Sequence, residues 1–226
     1  MFHTFDLGWG CFELAQEYKG RSGEADLRDV ESEILQVQQR FLDSLRLQRH
    51  DWLNHFQVIL GYMKLQRYDV CEEYIKKVTD QTNNESRIAA LEHQALVAYL
   101  LTYNAIYKEM KLEVLVPELI NLGQLGQDEN KRFFDLVKGI IDTYREHSIT
   151  NNGLPNTLVI ELQELEESIF LAVEYEGNLR EQECIEALRS LASRLGDGEG
   201  FFVEGLHNDQ ESIMEFYFPV NQEVKE

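Results

Sequence analysis

Arg49-His50-Asp51-Trp52-Leu53-Asn54 lies inside an apolar repeat that fixes how the first third of this chain folds. Before it, Leu27, Val30, Ile34, Val37 and Phe41 recur at steps of three and four. Through and after it, Leu45, Trp52, Phe56, Ile59 and Met63 continue the series. This is the spacing of a packed helix or coiled coil. No proline or glycine interrupts it until Gly61. The pattern therefore predicts a helix of about 40 residues, roughly 60 Å long. A helix of that length cannot bury its stripe alone and needs partners.

Helical phase then places the histidine. At about 100° per residue, the stripe from Leu45 to Met63 falls within roughly 40° of one direction. His50 falls roughly 140° away and Asn54 roughly 180° away. The stripe is expected to be buried, with His50 and Asn54 facing solvent. Asp43, Arg46, Gln57 and Gly61 share the broad outer face. Leu47 and Val58 are also on that side, where apolar residues have no core to join. Arg46, Leu47, Gln57 and Val58 are accordingly candidate partner-binding residues.

Gln66-Arg67-Tyr68-Asp69 reads as a turn, with Asp69 as the N-cap of a second helix carrying Val70, Tyr74, Ile75 and Val78. Asn83 and Asn84 are expected to end or kink it. A short turn makes the two helices antiparallel neighbours. One hairpin has too little core to stand alone. Two hairpins from two subunits make a four-helix bundle, so a homodimer is expected.

The remainder changes character. A third helical segment runs from about Arg87 to Met110, and Leu112–Val116 reads as a strand stopped by Pro117. Asp128 is placed as the cap of a helix over Glu129 to His147, and Asn151–Pro155 as a turn. Strands are expected over Thr157–Gln163, Ser168–Tyr175, Phe201–Leu206 and Ser212–Val220. A helix is expected over Glu181–Leu195, followed by a glycine-rich loop, Gly196–Gly200. The fold class is therefore α+β, with a largely antiparallel sheet in the second half. The expected organisation is an N-terminal extension (1–26), a helical hairpin (27–84) and a C-terminal domain (85–226).

Composition removes whole classes of function. Forty-one acidic residues against 21 basic ones give a formal charge of −20. So strong an excess repels phosphate backbones and anionic bilayers, which argues against nucleic-acid and membrane partners. No apolar run approaches the roughly 20 residues that span a bilayer. Met1–Gly10 lacks a basic region followed by an apolar one, so no signal peptide is expected. Cys11, Cys71 and Cys184 are far apart and form no CxxC pair, which fits a reducing cytoplasm.

His50-Asp51 could also begin a metal-dependent phosphohydrolase site. His55 stands five residues on, not four, and His3, His93, His147 and His207 are scattered without ligand spacing. No metal site and no Ser/His/Asp nucleophile signature is expected.

The motif from Arg49 to Asn54 resembles the phosphoacceptor box of sensor histidine kinases. More narrowly, it resembles the sporulation initiation phosphotransferase B family, whose box reads R-H-D-aromatic-x-N. Phe56–Gly61 and Leu65–Asp69 are similar to that family's hairpin. The similarity is strongest over about Ser44–Val78, and onward it is an order of helices and strands. It implies a hairpin that dimerises into a four-helix bundle, followed by an α/β sandwich resembling a degenerate histidine-kinase ATPase domain. In the place of a kinase's N-L-L-D-N-A box stands Gly139-Ile140-Ile141-Asp142-Thr143-Tyr144, with both asparagines replaced. In the place of D-x-G-x-G stands Tyr175-Glu176-Gly177-Asn178-Leu179, with the aspartate replaced by Tyr175. Asp197-Gly198-Glu199-Gly200 has the letters but follows a helix.

The resemblance thus implies a phosphotransferase that does not use ATP. His50 would take a phosphoryl group from the phosphoaspartate of one response-regulator receiver domain. It would pass the group to an aspartate of a second, as a step of sporulation initiation. A histidine of ordinary pKa, about 6.5, is largely neutral and nucleophilic near pH 7. Arg49, Asp51 and Asn54 are supporting candidates: Arg49 to offset charge, Asn54 to hydrogen-bond near the phosphoryl group, and Asp51 to orient a neighbour. No intrinsic cofactor is expected, and Mg²⁺ would come with the partner's acidic pocket. The competing readings are a non-catalytic dimeric scaffold that keeps the box and a divergent ATP-dependent histidine kinase.

Overall fold

The computed structural model describes residues 24–150, 156–196 and 200–220. The expected extension up to residue 23, the turn at 151–155 and residues 197–199 of the glycine-rich loop lie outside the described residues, as do the side chains of Leu27, Val30, Ile34, Val37 and Phe41. The first helix, α1, spans Glu24–Lys64, 41 residues, as the repeat requires. The chain divides into two compact units between His50 and Asp51, inside α1. The described part of the first unit is helix alone.

In the second unit, α1 ends at a tight turn. Leu65 N–H donates to the Gly61 carbonyl (3.1 Å) and Arg67 N–H to the Tyr62 carbonyl (3.0 Å). Gln66 takes φ 57°, the left-handed conformation that closes a helix. Helix α2 then runs over Tyr68–Ala89. Its N-cap position is Arg67, with no side-chain cap, so Asp69 sits inside the first turn rather than capping it. The backbone N–H of Val70 holds the Asp69 carboxyl below its ordinary pKa. A negative charge there also complements the positive end of the helix dipole.

The two helices meet along His55, Ile59 and Tyr62, one stripe at i, i+4 and i+7. His55 Nδ1 and the Tyr74 hydroxyl are 2.9 Å apart, and the Tyr62 and Tyr74 rings lie 6.1 Å apart. Cys71 Sγ points to the Ile59 carbonyl. Trp52, Phe56 and Met63 flank this contact and stay exposed, Phe56 by 55% and Met63 by 50%. The expected apolar stripe is therefore only partly covered by its own hairpin.

Helix α2 does not stop at Asn83 or Asn84. It continues because Asn84 has other work. Its Nδ2 donates to the Val114 carbonyl (2.6 Å) and its Oδ1 accepts from Val116 N–H (2.8 Å). This side-chain amide thus pairs with a strand edge as a neighbouring strand would. Arg87 Nε adds a bond to the Val116 carbonyl. Replacing Asn84 with alanine should cost about 1–3 kcal/mol, since two backbone groups lose their partner. Hydrogen exchange at the Val116 amide should accelerate; unchanged protection there would remove this joint from the account.

The expected helix over 87–110 is broken. α2 ends at Ala89, and α3 spans Gln94–Ile106. Glu92 adopts φ 54°, and His93 Nδ1 accepts from Leu96 N–H (3.2 Å) as the N-cap of α3. Its other nitrogen donates to the Asn130 carbonyl (2.9 Å).

Strands β1 (Met110–Leu115), β2 (Asn156–Glu164), β3 (Ser168–Glu176), β4 (Phe202–His207) and β5 (Glu211–Pro219) form one sheet, ordered β1-β2-β3-β5-β4. Only β1–β2 is parallel. That pair needs a crossover, which contains α4 (Gln127–His147). Glu129 accepts from Gly126 N–H (3.1 Å) at the start of α4, so Asp128 lies in the first turn and is not its cap. Helix α5 covers Glu181–Leu195. One core joins the inward positions of the sheet to α3, α4 and α5, with Phe133, Tyr144, Phe216 and Phe218 fully buried. This is an α+β fold, a layer of helices on a mixed sheet.

Candidate functional site

Every sequence-predicted site residue lies on α1. In the first unit, Arg46, Leu47, Arg49 and His50 are exposed. Arg46 Nη1 pairs with Asp43 at 2.8 Å, and Gln39 donates to the same carboxylate at 3.1 Å. Both ends of that ion pair are mostly exposed, so it orders a side chain more than it stabilises the fold. In the second unit, Asp51, Asn54, Gln57 and Val58 are exposed. Leu47 is 41% and Val58 37% accessible, so neither apolar side chain has been drawn into a core.

Within α1 the two histidines differ in surroundings. His55 is half-buried with its Nδ1 occupied by Tyr74, whereas His50 is exposed. Among the described residues, no group of three or more His, Cys, Asp and Glu side chains could hold a metal ion.

The two segments compared above with a kinase's nucleotide-binding boxes are occupied by packed side chains. Tyr175, in the position of the absent aspartate, is buried, and its ring stacks on Tyr144 at 5.3 Å. Its hydroxyl donates to the Asn178 carbonyl (2.9 Å). Tyr144 contacts Ser212 Oγ (2.6 Å), which in turn contacts His207 Nδ1 (2.8 Å). His207 Nε2 lies 3.0 Å from the Glu181 carbonyl and must donate there. In the neutral imidazole Nδ1 then accepts from Ser212, and Ser212 accepts from Tyr144. This relay of side chains joins α4, β5, β4 and α5, and residues so far apart in sequence gave no signal of it.

Asp142 is equally occupied. Lys138 and Arg145 both pair with it, Arg145 at 2.9 Å, and Tyr99 donates to it at 3.3 Å. Gly139 lies against Leu191: a Cβ there would stand 2.7 Å from Leu191 Cδ1. The glycine is thus set by the close approach of α4 and α5. Thr143 donates back to the Gly139 carbonyl (2.7 Å).

Burial pushes the Cys184 thiol up to about 12, and raises Tyr144 and Tyr175 above the ordinary phenol range. Each of these groups keeps its proton longer in the folded chain than in the unfolded one. Their contribution to stability is full below the unfolded value, 9.0 for the thiol, and is lost as pH rises through the folded one. The melting temperature should therefore fall progressively above about pH 9; a flat profile to pH 11 would contradict the burial of these groups.

Residues 31–91 match the alpha-helical domain of SpoOB-type sensor kinases. Residues 92–217 match the C-terminal domain of sporulation initiation phosphotransferase B. The sporulation initiation phosphotransferase B of Bacillus subtilis (strain 168) is 29% identical over 106 residues, 45% of this chain. The alignment spans 55% of that relative, so the chain covers about half its length. Among solved structures, the Acinetobacter baumannii histidine kinase AdeS aligns at 10% identity and a TM-score of 0.37, covering 76% of this chain and 98% of that one. A histidine kinase from Burkholderia phymatum STM815 aligns at 14% identity and a TM-score of 0.36, covering 88% and 99%.

Proposed function

Because the chain belongs to the sporulation initiation phosphotransferase B family, we propose that it relays phosphoryl groups between response-regulator receiver domains through His50. The observation that carries this reading is the exposed His50 of the Arg49–Asn54 box, on a helix that lies largely within residues 31–91, the span that matches the family's alpha-helical domain. An imidazole nitrogen attacks the phosphorus of an aspartyl phosphate. The P–N bond forms as the acyl P–O bond breaks, and the partner's aspartate leaves as carboxylate. The reverse steps deliver the group to a second receiver. Catalysis is positioning and charge neutralisation, with Mg²⁺ held in the partner's acidic pocket.

Arg49 offsets phosphoryl charge and Asn54 hydrogen-bonds at the transferred group or the partner, while Asp51 orients a neighbouring side chain. Arg46, Leu47, Gln57 and Val58 form the docking surface around them. The buried Tyr175 ring and the doubly paired Asp142 support a relay that draws on no ATP.

The exposed Trp52, Phe56 and Met63 support a homodimer in which paired hairpins make a four-helix bundle. Light scattering at micromolar concentration should give a dimer mass, and Phe56→Glu a monomer; a monomeric wild type would remove the bundle from the proposal. The relay itself is tested by incubation with a phosphorylated receiver domain. Trypsin cuts after Arg49 and Lys64, so fragment ions of the peptide 50–64 separate a phosphate on His50 from one on His55. Label on His55, or on neither, would refute the assignment.

A further inference from the structure

Alternate residues of the sheet point away from the core. On that outer face the register sets Glu113, Val159, Glu174 and Ile213 in one row across β1, β2, β3 and β5. The next row holds Glu161, Ala172, Glu215 and Val203, and a third pairs Phe170 with Tyr217, their rings 5.1 Å apart. At the other end Glu176 stands directly opposite Glu211. None of these residues belongs to the core or packs against it.

The face holds six glutamates, at 113, 161, 174, 176, 211 and 215, against one lysine, Lys111. Three are answered within the sheet: Glu113 by Lys111 (2.6 Å), Glu215 by the Tyr217 hydroxyl (2.9 Å) and Glu161 by Gln163. Among the described residues, no ion pair or side-chain hydrogen bond answers Glu174, Glu176 or Glu211. Like charges set directly opposite on neighbouring strands destabilise a sheet. The fold thus carries an unfavourable pair next to the row of half-exposed Val159 and exposed Ile213, with half-exposed Phe170 and Tyr217 at the far end of the same face.

From this arrangement we infer that the outer face of the sheet is a docking surface for a protein segment carrying lysines or arginines beside an aliphatic or aromatic anchor. Such a segment separates Glu176 from Glu211 electrostatically and covers the apolar rows in one step. A second copy of this face brings the same negative charge and is repelled, as are nucleic acid and an anionic bilayer. The surface is independent of His50, so the inference stands or falls apart from the relay.

The test uses the full chain at physiological salt, titrated with a short synthetic peptide alternating lysine and leucine and followed by amide chemical shifts. Saturable binding is expected, with shifts gathered at Val159, Phe170, Ile213 and Tyr217. Replacing lysine by glutamate, or leucine by serine, in the peptide should abolish it. The triple variant Glu174→Gln, Glu176→Gln, Glu211→Gln should weaken binding about tenfold or more, whereas His50→Gln should leave it unchanged. Shifts spread over the whole acidic surface, equal binding of the serine peptide, or an unaltered affinity in the triple variant would each overturn the inference. Glu211→Gln alone should raise the melting temperature or leave it unchanged; a fall would show that the pair is already compensated within the fold and would overturn it as well.

Discussion

His50→Gln is expected to lower phosphoryl uptake from a labelled receiver domain by about a thousandfold or more, because it removes the bond-forming nitrogen itself. The fold should not change. His50 is exposed on a helix, and glutamine is a good helix former. Circular dichroism and solution mass should therefore match the wild type, which separates lost chemistry from lost structure. Asn54→Ala and Arg49→Ala should cost less, about ten- to a hundredfold each, the effect of one hydrogen bond to a charged group. A His50→Gln protein that still accepts the label at the wild-type rate would move the acceptor elsewhere, and His55→Gln would be the next variant to read.

The second large effect is Tyr175→Asp, which introduces the carboxylate that the compared D-x-G-x-G box has at this position. It should destroy stability without creating ATP binding. Tyr175 is buried, stacked on Tyr144 and bonded to the Asn178 carbonyl. Truncating a buried aromatic ring costs about 3–5 kcal/mol, and an unpaired buried carboxylate adds to that. Against a total stability of roughly 5–15 kcal/mol, the C-terminal domain should melt many degrees lower. ATP should give no thermal shift, because Gly139 and Thr143 stand where the compared box has its two asparagines. A stable variant that binds ATP would show that the loss of one carboxylate alone separates this domain from a kinase.

The parts of the fold written in local periodicity could be read from the sequence. Alternation locates β2, and the apolar run Phe170–Val173 locates β3, each within about a residue, and the amphipathic run Glu181–Leu195 is α5 to the residue. The caps were less legible. Asp69 and Asp128 have the right chemistry for an N-cap, but the turn after Gly61 and the Gly126–Glu129 bond start each helix earlier. The segment from Arg87 to Met110 looked continuous because nothing apolar marks the break. Its cause is a left-handed Glu92 and a histidine cap tied to α4. Asn84 shows the same limit: its sequence neighbours suggest a helix end, whereas its partners lie 30 and 32 residues away, at Val114 of β1 and at Val116 just after it.

The candidate site divides in the same way. The exposure of His50 and Asn54 follows from helical phase alone. That Trp52, Phe56 and Met63 would remain uncovered within one chain did not follow, since phase gives a direction and not what lies there. The Tyr144–Ser212–His207 relay could not be read at all, because it joins four elements that only the tertiary fold brings together.

The relay is tested most directly by offering the protein two donors side by side, radiolabelled ATP alone and a receiver domain carrying labelled phosphoaspartate. No labelling from ATP, rapid labelling of His50 from the receiver, and onward transfer to a second receiver are expected. Labelling of His50 by ATP alone, or labelling from the receiver that is undiminished in His50→Gln, would contradict it.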